Sequence, residues 1–413
     1  MKQPSKQKLL PILMLFLVAE LSAKPHIISP LPLPKVEIVN LTYEPCDEAC
    51  LRELDKQGEH FSFIARFHSQ ITNERFKARL AGLMREYEID IAPFEWMHKG
   101  RTKLRIALIL PRKSIGRYSM TTIDTILAYL LARGGDFAFE VFDIQDEGMN
   151  SLQNALRNAK SRDFEQAIAL LTRQGASEIA QFIPALPTYI PSVHLKQLNL
   201  GRAIPMDITF GGIDYEAQIE ALMHYANPSK VVLYNDDSLV GRSVGESVKR
   251  LGIEPVFEES FSNAKATVFN QEIKKHGDYI VGASIFLNTP IVKSSLILSQ
   301  FTYNNLQPER ILSTQINYHH SLLSLTQARD REQLYIANSI QGAKREIIEY
   351  GAVLKSDLQY DWINYSTALG VEFFYLKTFR ETIPYFSESI SDHSVQYPIY
   401  IYKSTQERFM RVD

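Results

Sequence analysis

The stretch Leu104-Arg105-Ile106-Ala107-Leu108-Ile109-Leu110 is a short apolar run that predicts a buried β-strand. It continues through a loop that contains Pro111 and Gly116 into a segment with the apolar spacing of an amphipathic helix. The apolar face of that predicted helix consists of Ile123, Ile126, Leu127, Leu130 and Leu131. A second predicted strand, at residues 137–144, follows the helix. The order strand, loop, helix, strand is typical of a parallel sheet covered by helices.

A similar unit occurs a second time, so that residues 103–317 contain the same arrangement twice. In this copy a predicted helix at 215–226 precedes the strand Val231-Val232-Leu233-Tyr234, and the residues Asn235-Asp236-Asp237-Ser238 begin another helix. Two such units predict two α/β lobes with a cleft between them. Proteins of this kind bind ligands at the carboxyl ends of their parallel strands, so the expected function is binding.

The composition is that of an ordinary globular protein with room for two domains and an appendage. The chain has 413 residues, of which 45% are hydrophobic and 22% are charged. Its formal net charge is −2, and a chain with no basic excess is not expected to bind nucleic acid or an anionic membrane surface.

The amino terminus has the pattern of an export signal. Lys2, Lys6 and Lys8 precede the apolar run at 9–18, and Leu21-Ser22-Ala23 offers a cleavage site. The apolar run is shorter than the roughly 20 residues that a spanning helix needs. We therefore expect a signal peptide at 1–23, a mature chain with no membrane span, and a periplasmic location.

Two further segments precede the first lobe. Residues 24–43 are rich in proline and predict an extended linker. Residues 44–100 have helical apolar spacing with a break at Gly58, which predicts a small helical hairpin. The hairpin is too short to hold a sizeable core alone, so it is expected to dock on the main body or on a partner.

Cys46 and Cys50 are the two cysteines of the chain. In an oxidising compartment one local disulfide is the simplest interpretation, and Pro45 would place Cys46 at the frayed start of a helix where the backbone can adjust. A redox-active pair or a metal site remains an alternative, although the spacing is not C-x-x-C.

The order of elements in residues 103–413 resembles the type I periplasmic binding protein fold, the family of branched-chain amino-acid receptors and their relatives. The residues that carry this resemblance are 103–113 as the opening strand, Ile183-Pro184 followed by 188–192, 214–218 as the helix that enters the second lobe, 230–241, and 395–403 as the returning strands. The resemblance implies a first lobe of residues 103–205 plus about 318–378. It implies a second lobe of residues 206–317 plus about 379–413.

The resemblance also implies where a ligand would bind. In this family an amino-acid ligand is held by main-chain and hydroxyl groups of the loop after the third strand, where Thr188, Tyr189 and Ser192 stand in this chain. An acidic group of the opposite lobe binds the ligand's ammonium, and Asp236 is the candidate for that role. The family's run of small residues is replaced here by Leu186-Pro187-Thr188-Tyr189, whose bulk could fill the cleft.

A different branch of the same fold offers an alternative. Activators of penicillin-binding proteins combine this fold with a helical amino-terminal part and a cleft not known to take a small solute. The helical segment 44–100 is similar to that arrangement, although it is much shorter and the chain has no lipoprotein cysteine.

Other candidate site residues have both a functional and a structural interpretation. Asp236 and its neighbours at 235–238 could bind a ligand cation, or they could cap the following helix. Arg112, Lys113, Arg117 and Tyr118 could contact an anionic ligand, or they could form a solvated loop. Ser284 ends a predicted strand at 279–284 and is a further ligand-binding candidate.

No pattern in the sequence indicates catalysis, a cofactor or a metal. His319 and His320 are adjacent, and side chains of adjacent residues on a regular strand or helix point apart, so shared metal ligation is not expected. The chain has no Walker loop, no G-x-S-x-G and no H-E-x-x-H. We expect a non-enzymatic periplasmic protein that captures a small polar solute such as an amino acid. The alternative is an envelope scaffold or regulator that binds another protein, for example a cell-wall synthase.

Overall fold

The computed structural model describes residues 46–68, 71–87, 89, 104–116, 118–262, 269–379 and 382–413. The predicted signal peptide at 1–23, the predicted linker at 24–43 and Arg117 lie outside the described residues, as does most of 88–103. The chain divides into two compact units at residues 100 and 101.

Within residues 46–89, the described part of the first unit contains three helices with a hydrophobic cluster of their own. They are α1 (Glu48–Gln57), α2 (His60–Arg66) and α3 (Glu74–Glu86). Gly58 ends α1 in the left-handed conformation with φ 75°, which confirms the predicted break. The segment predicted as a small helical hairpin at 44–100 forms three helices in its described part, because the chain turns both at Gly58 and between Phe67 and Asn73. A disulfide joins Cys46 to Cys50, as the sequence predicts.

In the first sheet of the second unit, five neighbouring strands in the order β2-β1-β3-β4-β5 are parallel to one another. The strands are β1 (Leu104–Leu110), β2 (Phe137–Asp143), β3 (Gln166–Ala169), β4 (Thr188–Ile190) and β5 (Ile208–Phe210). Six of the seven residues of β1 are buried, because helices cover both faces of the sheet.

Five neighbouring strands of the second sheet repeat this arrangement in the order β7-β6-β8-β9-β10 and are parallel to one another. Its strands are β6 (Val231–Asp236), β7 (Phe257–Phe261), β8 (Ser284–Asn288), β9 (Arg310–Ser313) and β10 (Leu334–Asn338). The two sheets therefore have the same strand order, which confirms the predicted doubling and the predicted two-lobed α/β class.

Helices connect and cover these strands. They are α4 (Arg112–Ile115), α5 (Tyr118–Arg133), α6 (Met149–Ser161), α7 (Arg173–Ile179), α8 (Tyr215–Ala226), α9 (Leu239–Arg250), α10 (Phe269–Lys275), α11 (Gly277–Ile280), α12 (Ile291–Tyr303), α13 (His320–Leu325), α14 (Arg345–Val353) and α15 (Trp362–Thr378). Short 3-10 turns occur at Leu195–Gln197, Gln315–Asn317 and Ala328–Arg331. No helix in the described part of the chain has both the length and the apolar character needed to cross a membrane.

The carboxyl-terminal strands return to both sheets. β11 (Ser389–Ser391) and β12 (Ser394–Gln396) extend the first sheet, whereas β13 (Tyr400–Ser404) and β14 (Phe409–Arg411) extend the second. The predicted boundaries at 318 and 379 are therefore shifted. β10 belongs to the second lobe, and β11 and β12 belong to the first. The alternation of apolar residues that predicts a strand carries no information on which sheet edge the strand joins.

The segment after β10 crosses back to the first lobe. α14 and α15 pack against α5, and Ile347 and Leu358 belong to the same hydrophobic cluster as the strands of the first sheet. In α15, 12 of the 17 residues are buried, so that this helix lies inside the lobe rather than on its surface.

Candidate functional site

The strand order reverses at one point in each sheet. In the first sheet this point lies between β1 and β3, and in the second it lies between β6 and β8. Such switch points, at the carboxyl ends of the strands, are where open α/β sheets bind ligands. The segments that follow these strands are the candidate site: 111–116 and 170–172 in the first lobe, 236–238 and 288–290 in the second.

The two lobes approach each other near this edge. Tyr118 begins α5 in the first lobe, and Tyr215 begins α8 in the second. Burial first, and then the proximity of Tyr118, raise the pKa of Tyr215 well above its ordinary value. Tyr118 itself is half-buried.

Asp236, the predicted acceptor of a ligand ammonium, already binds an ammonium of this chain. Lys293 in the first turn of α12 donates a hydrogen bond to Oδ1 of Asp236 and another, of 2.8 Å, to the main-chain oxygen of Phe261. The side chains of Lys293 and Asp236 are 11% and 6% exposed. The pair therefore lies buried at the carboxyl ends of β6 and β7, where Lys293 occupies the carboxylate that was predicted to bind a ligand.

The pKa of Asp236 reflects this pairing. Burial acts to raise it, but the hydrogen bonds from Lys293 and from the amide and hydroxyl of Ser238 outweigh burial and hold the pKa below its ordinary value. Ser238 also caps α9 by accepting a 3.3 Å hydrogen bond from the amide of Gly241. The segment 235–238 therefore combines helix capping with a buried ion pair. Lys293 was missed, although a single lysine inside an apolar helix start is the signal that could have found it.

The hydroxyl groups predicted to bind a ligand in the first lobe are engaged within the protein. Thr188 is the first residue of β4 rather than part of a loop, and its hydroxyl donates a 2.8 Å hydrogen bond to the main chain of Leu186. The hydroxyl of Ser192 both donates to and accepts from the main chain of Leu171. Thr188 is 2% exposed, and Ser192 is half-buried at the carboxyl edge.

Tyr189 points into the core of the first lobe and does not line the cleft. Its ring packs against α15, and its hydroxyl lies 3.2 Å from that of Ser366. A Cβ at Gly370 would lie 2.3 Å from a carbon of the Tyr189 ring, so the close approach of strand and helix needs a glycine there. The bulk of Tyr189 thus fills space between β4 and α15.

Glu147 closes the switch point of the first sheet. This carboxylate is 7% exposed and accepts hydrogen bonds from both the amide, at 2.7 Å, and the hydroxyl of Thr172, the cap residue of α7. A Cβ at Gly175 would lie 2.8 Å from the same carboxylate. Nothing in the sequence pattern marks Glu147 for this role, because it comes from a loop after a different strand.

Ser284 lies at the wrong end of its strand for the predicted role. The predicted strand at 279–284 is wrong, since α11 occupies 277–280 and β8 begins at Ser284. Ser284 pairs with Val231, five residues before Asp236, which places it about 16 Å from the cleft edge. Of the predicted cationic loop, Arg112 is exposed and paired with Asp143 at 2.8 Å.

A buried polar network lies at the carboxyl ends of β9 and β10. Gln218 of α8 donates a 2.7 Å hydrogen bond to Ser339 after β10, and the side chain of Gln315 bridges to Asn338 at 2.8 Å. Three atoms near this network, Asn288 Oδ1, Thr314 Oγ1 and Asn317 Oδ1, are buried and have no hydrogen-bond partner among the described residues.

The adjacent histidines depart from the expected geometry. The rings of His319 and His320 stack with centroids 4.4 Å apart instead of pointing away from each other. His319 is the extended cap residue of α13 and His320 is its first residue, so neither a regular strand nor a regular helix separates the two side chains.

No protein-family model and no curated protein sequence matches the chain. Solved structures do match. The branched-chain amino-acid binding protein LivJ of Streptococcus pneumoniae, in complex with isoleucine, superimposes with a TM-score of 0.52 at 12% identity, over 74% of this chain and 97% of LivJ. The leucine-binding protein LivK of Thermotoga maritima gives 0.51 at 15% identity, over 75% and 98%. The C-domain of Haemophilus influenzae LpoA, a regulator of PBP1A, gives 0.50 at 13% identity, over 75% and 100%.

The chain has the type I periplasmic binding protein fold. At 12–15% identity these similarities establish the fold alone. Of these neighbours, LivJ was solved with bound isoleucine, whereas LpoA is a regulator of PBP1A. The fold alone therefore does not decide between binding an amino acid and regulating another protein, and the residues of the cleft have to be considered.

Proposed function

We propose that this chain is a non-enzymatic binding protein of the cell envelope whose partner is another protein. The observation that carries the proposal is the buried ion pair in which the ammonium of Lys293 donates a hydrogen bond to the carboxylate of Asp236. The cation site that a free amino acid would need is occupied by the chain itself. A ligand would have to displace Lys293, which also donates to the main chain of Phe261.

The first lobe supports the same proposal. A ligand that reached Ser192 would have to compete with the main chain of Leu171 for its hydroxyl, and the hydroxyl of Thr188 is buried in β4. Glu147 places a carboxylate at the switch point, where the carboxylate of an amino acid would be repelled. In both lobes, the polar side chains that were predicted to bind a ligand make hydrogen bonds or ion pairs within the protein instead.

The class of partner follows from the structural neighbours and from the helical unit. LpoA shares this fold and is a regulator of PBP1A, so a cell-wall synthase of the penicillin-binding-protein class is the partner that we propose. The three helices at 46–89 enclose their own hydrophobic cluster and would supply part of the docking surface.

The experiment is a binding titration between the chain from residue 24 onward and purified penicillin-binding proteins of the same organism, followed by biolayer interferometry. We expect saturable binding to at least one synthase and a loss of at least about tenfold when residues 44–100 are removed. A matched control is the Thr188→Ala, Ser192→Ala variant, which should bind as well as the unaltered chain. Absence of binding to every synthase, with all proteins folded, would contradict this choice of partner.

Solute capture is the second candidate, and one observation favours it. Asn288 Oδ1, Thr314 Oγ1 and Asn317 Oδ1 are buried polar atoms without a hydrogen-bond partner among the described residues, and such atoms are costly unless something satisfies them. A small polar solute at the carboxyl edge of β8 and β9 would do so. Under this candidate, Asn288→Ala should abolish binding of that solute in a calorimetric titration.

A further inference from the structure

Three potential metal ligands converge at the start of α13. His319 has extended dihedral angles (φ −155°, ψ 140°) and His320 begins the helix, which brings the two imidazole rings to one side. Asp357, from the segment between α14 and α15, faces them. One ligand atom from each of the three side chains lies within 4.8 Å of both others.

We propose that His319, His320 and Asp357 form a binding site for a divalent transition metal of the zinc type. Two imidazole nitrogens and one carboxylate oxygen form a donor set that suits Zn²⁺, with water completing a tetrahedral site. Tetrahedral ligation at bond lengths of about 2.0–2.1 Å brings ligand atoms to about 3.3 Å from each other. In this structure the three ligand atoms lie within 4.8 Å of one another, so small rotations of the side chains would bring them to that distance. His320 is exposed and free to make such a rotation.

The carboxylate is already oriented by its surroundings. Oδ1 of Asp357 accepts hydrogen bonds from the amides of Gln359, at 2.8 Å, and Tyr360, at 3.0 Å. Bonds of this kind fix the direction of a ligating carboxylate. The ring of Tyr360 lies 6.0 Å from that of His319 and 5.4 Å from that of His320, which covers one side of the site.

Metal binding changes one hydrogen bond at the helix start. Nδ1 of His319 accepts a 3.1 Å hydrogen bond from the amide of Ser321, so its neutral ring carries the proton on Nε2. A metal bound to Nδ1 takes the lone pair that accepts this hydrogen bond. A metal bound to Nε2 moves the proton to Nδ1, which then can no longer accept the hydrogen bond from Ser321. The amide of Ser321 is therefore a local reporter of coordination by His319.

The ligands come from both lobes, Asp357 from the first and the two histidines from the second. The segment of Asp357 is fixed to the first lobe through Leu358, in its core, and through a 2.5 Å hydrogen bond between Ser356 and Thr125 of α5. α13 is fixed to the second lobe through Leu322, in the core of the second sheet. A metal held by all three side chains therefore links the lobes and restrains their relative motion.

The test is a calorimetric titration of the chain from residue 24 onward, freed of any affinity tag and of metal, with ZnCl₂. We expect one zinc per chain and an affinity that falls at least about tenfold in both His320→Ala and Asp357→Asn. The matched controls are His224→Ala, an exposed histidine on α8, and His276→Ala. The latter removes the histidine of a second group, Glu259, Glu272 and His276, whose ligand atoms also lie within 4.8 Å of each other.

A folded wild-type chain that binds no zinc overturns the proposal. So does zinc affinity that persists in both His320→Ala and Asp357→Asn, or that is lost only in His276→Ala. Circular dichroism checks that each variant is folded, and because His320 is exposed its replacement does not alter the core. Hydrogen exchange supplies a readout on the wild-type chain alone, in which zinc should slow exchange in the segment 354–361 and speed it at Ser321. Unchanged exchange in both places with zinc bound would place the metal elsewhere.

Discussion

Lys293 and Asp236 form a buried ion pair at the cleft edge of the second lobe, and its energetics follow from burial. Removing two charges from water is costly, and the cost is offset only when the charges remain paired and hydrogen-bonded. Here Asp236 accepts from Lys293 and from the amide of Ser238, while Lys293 also donates to the main chain of Phe261. The loss of one partner leaves the other buried and uncompensated.

Lys293→Met should therefore lower the free energy of unfolding by about 3–5 kcal/mol, because the carboxylate of Asp236 remains buried without its counter-charge. The double variant Asp236→Asn, Lys293→Met removes both charges at nearly constant volume and should recover most of that loss. Guanidinium unfolding of the three proteins measures both quantities. A double variant as unstable as the single one would contradict the account of the pair.

The same pair predicts a dependence of stability on acid. The pKa of Asp236 in the folded protein lies below the value of about 3.9 expected in the unfolded chain. Its contribution is therefore fully present above pH 4 and is lost as the pH falls through the folded pKa. Between pH 5 and pH 3 the free energy of unfolding should fall more steeply in the wild type than in Asp236→Asn, Lys293→Met. Equal slopes in the two proteins would show that Asp236 does not contribute.

Sequence reasoning at this scale identified polar residue types but not their partners. Asp236 was predicted in the segment 235–238 that follows a buried strand and begins a helix, whereas it is the last residue of β6. Lys293 lies 57 positions later, and nothing local connects the two. Ser284 failed for a different reason. The mainly apolar residues from Tyr279 to Ala283 could belong either to a strand or to a turn that precedes one. Because the strand begins only at Ser284, this serine lies at the amino end of β8 rather than at its carboxyl end.

Among the secondary-structure elements, β4 and α15 show why the bulky loop of this chain does not line the cleft. The side chain of Tyr189 is fully buried between them, and Gly370 and Gly211 make room for it. The expectation that the bulky residues at 186–189 fill the cleft was therefore wrong for Tyr189, because its ring lies in the core of the first lobe.

Gly370→Ala should lower the free energy of unfolding by about 1–3 kcal/mol, because the new Cβ would overlap the ring of Tyr189. Gly82→Ala in α3 is the matched control. It also replaces a helical glycine, but nothing lies within 4 Å of the new Cβ, so the better helix propensity of alanine should preserve or increase stability. Thermal unfolding followed by circular dichroism compares the two. Equal effects would show that the contact with Tyr189 is not tight.

Strands and helices with strong local patterns were predicted well, and their assignment to lobes was not. β1 spans residues 104–110 as the apolar run predicts, and Gly58 ends α1. By contrast, Val395 and Ile401 belong to the segment 395–403, all of which was expected in the second lobe. They lie in different lobes, since β12 joins the first sheet and β13 joins the second. Long-range pairing decides this, and no local pattern encodes it.

For the whole molecule, the doubling of the α/β unit was the strongest feature of the sequence, and the identical strand orders of the two sheets confirm it. The doubling accounts for the two covered parallel sheets, each with one switch point at the carboxyl ends of its strands. The fold does not determine the function. Asp236 and Ser192 make internal contacts, whereas Asn288 Oδ1, Thr314 Oγ1 and Asn317 Oδ1 are among the buried atoms that have no hydrogen-bond partner in the described residues.

The most direct test of the central claim is a thermal-shift screen of the chain from residue 24 onward against amino acids, small peptides, sugars and cell-wall fragments. A ligand at a hundredfold its dissociation constant would add about 2.7 kcal/mol to the stability and give a clear rise in Tm. The account predicts no shift from any amino acid, because Lys293 already occupies Asp236. A reproducible rise with an amino acid, lost in Asp236→Asn, Lys293→Met, would contradict it and establish the cleft as a solute site.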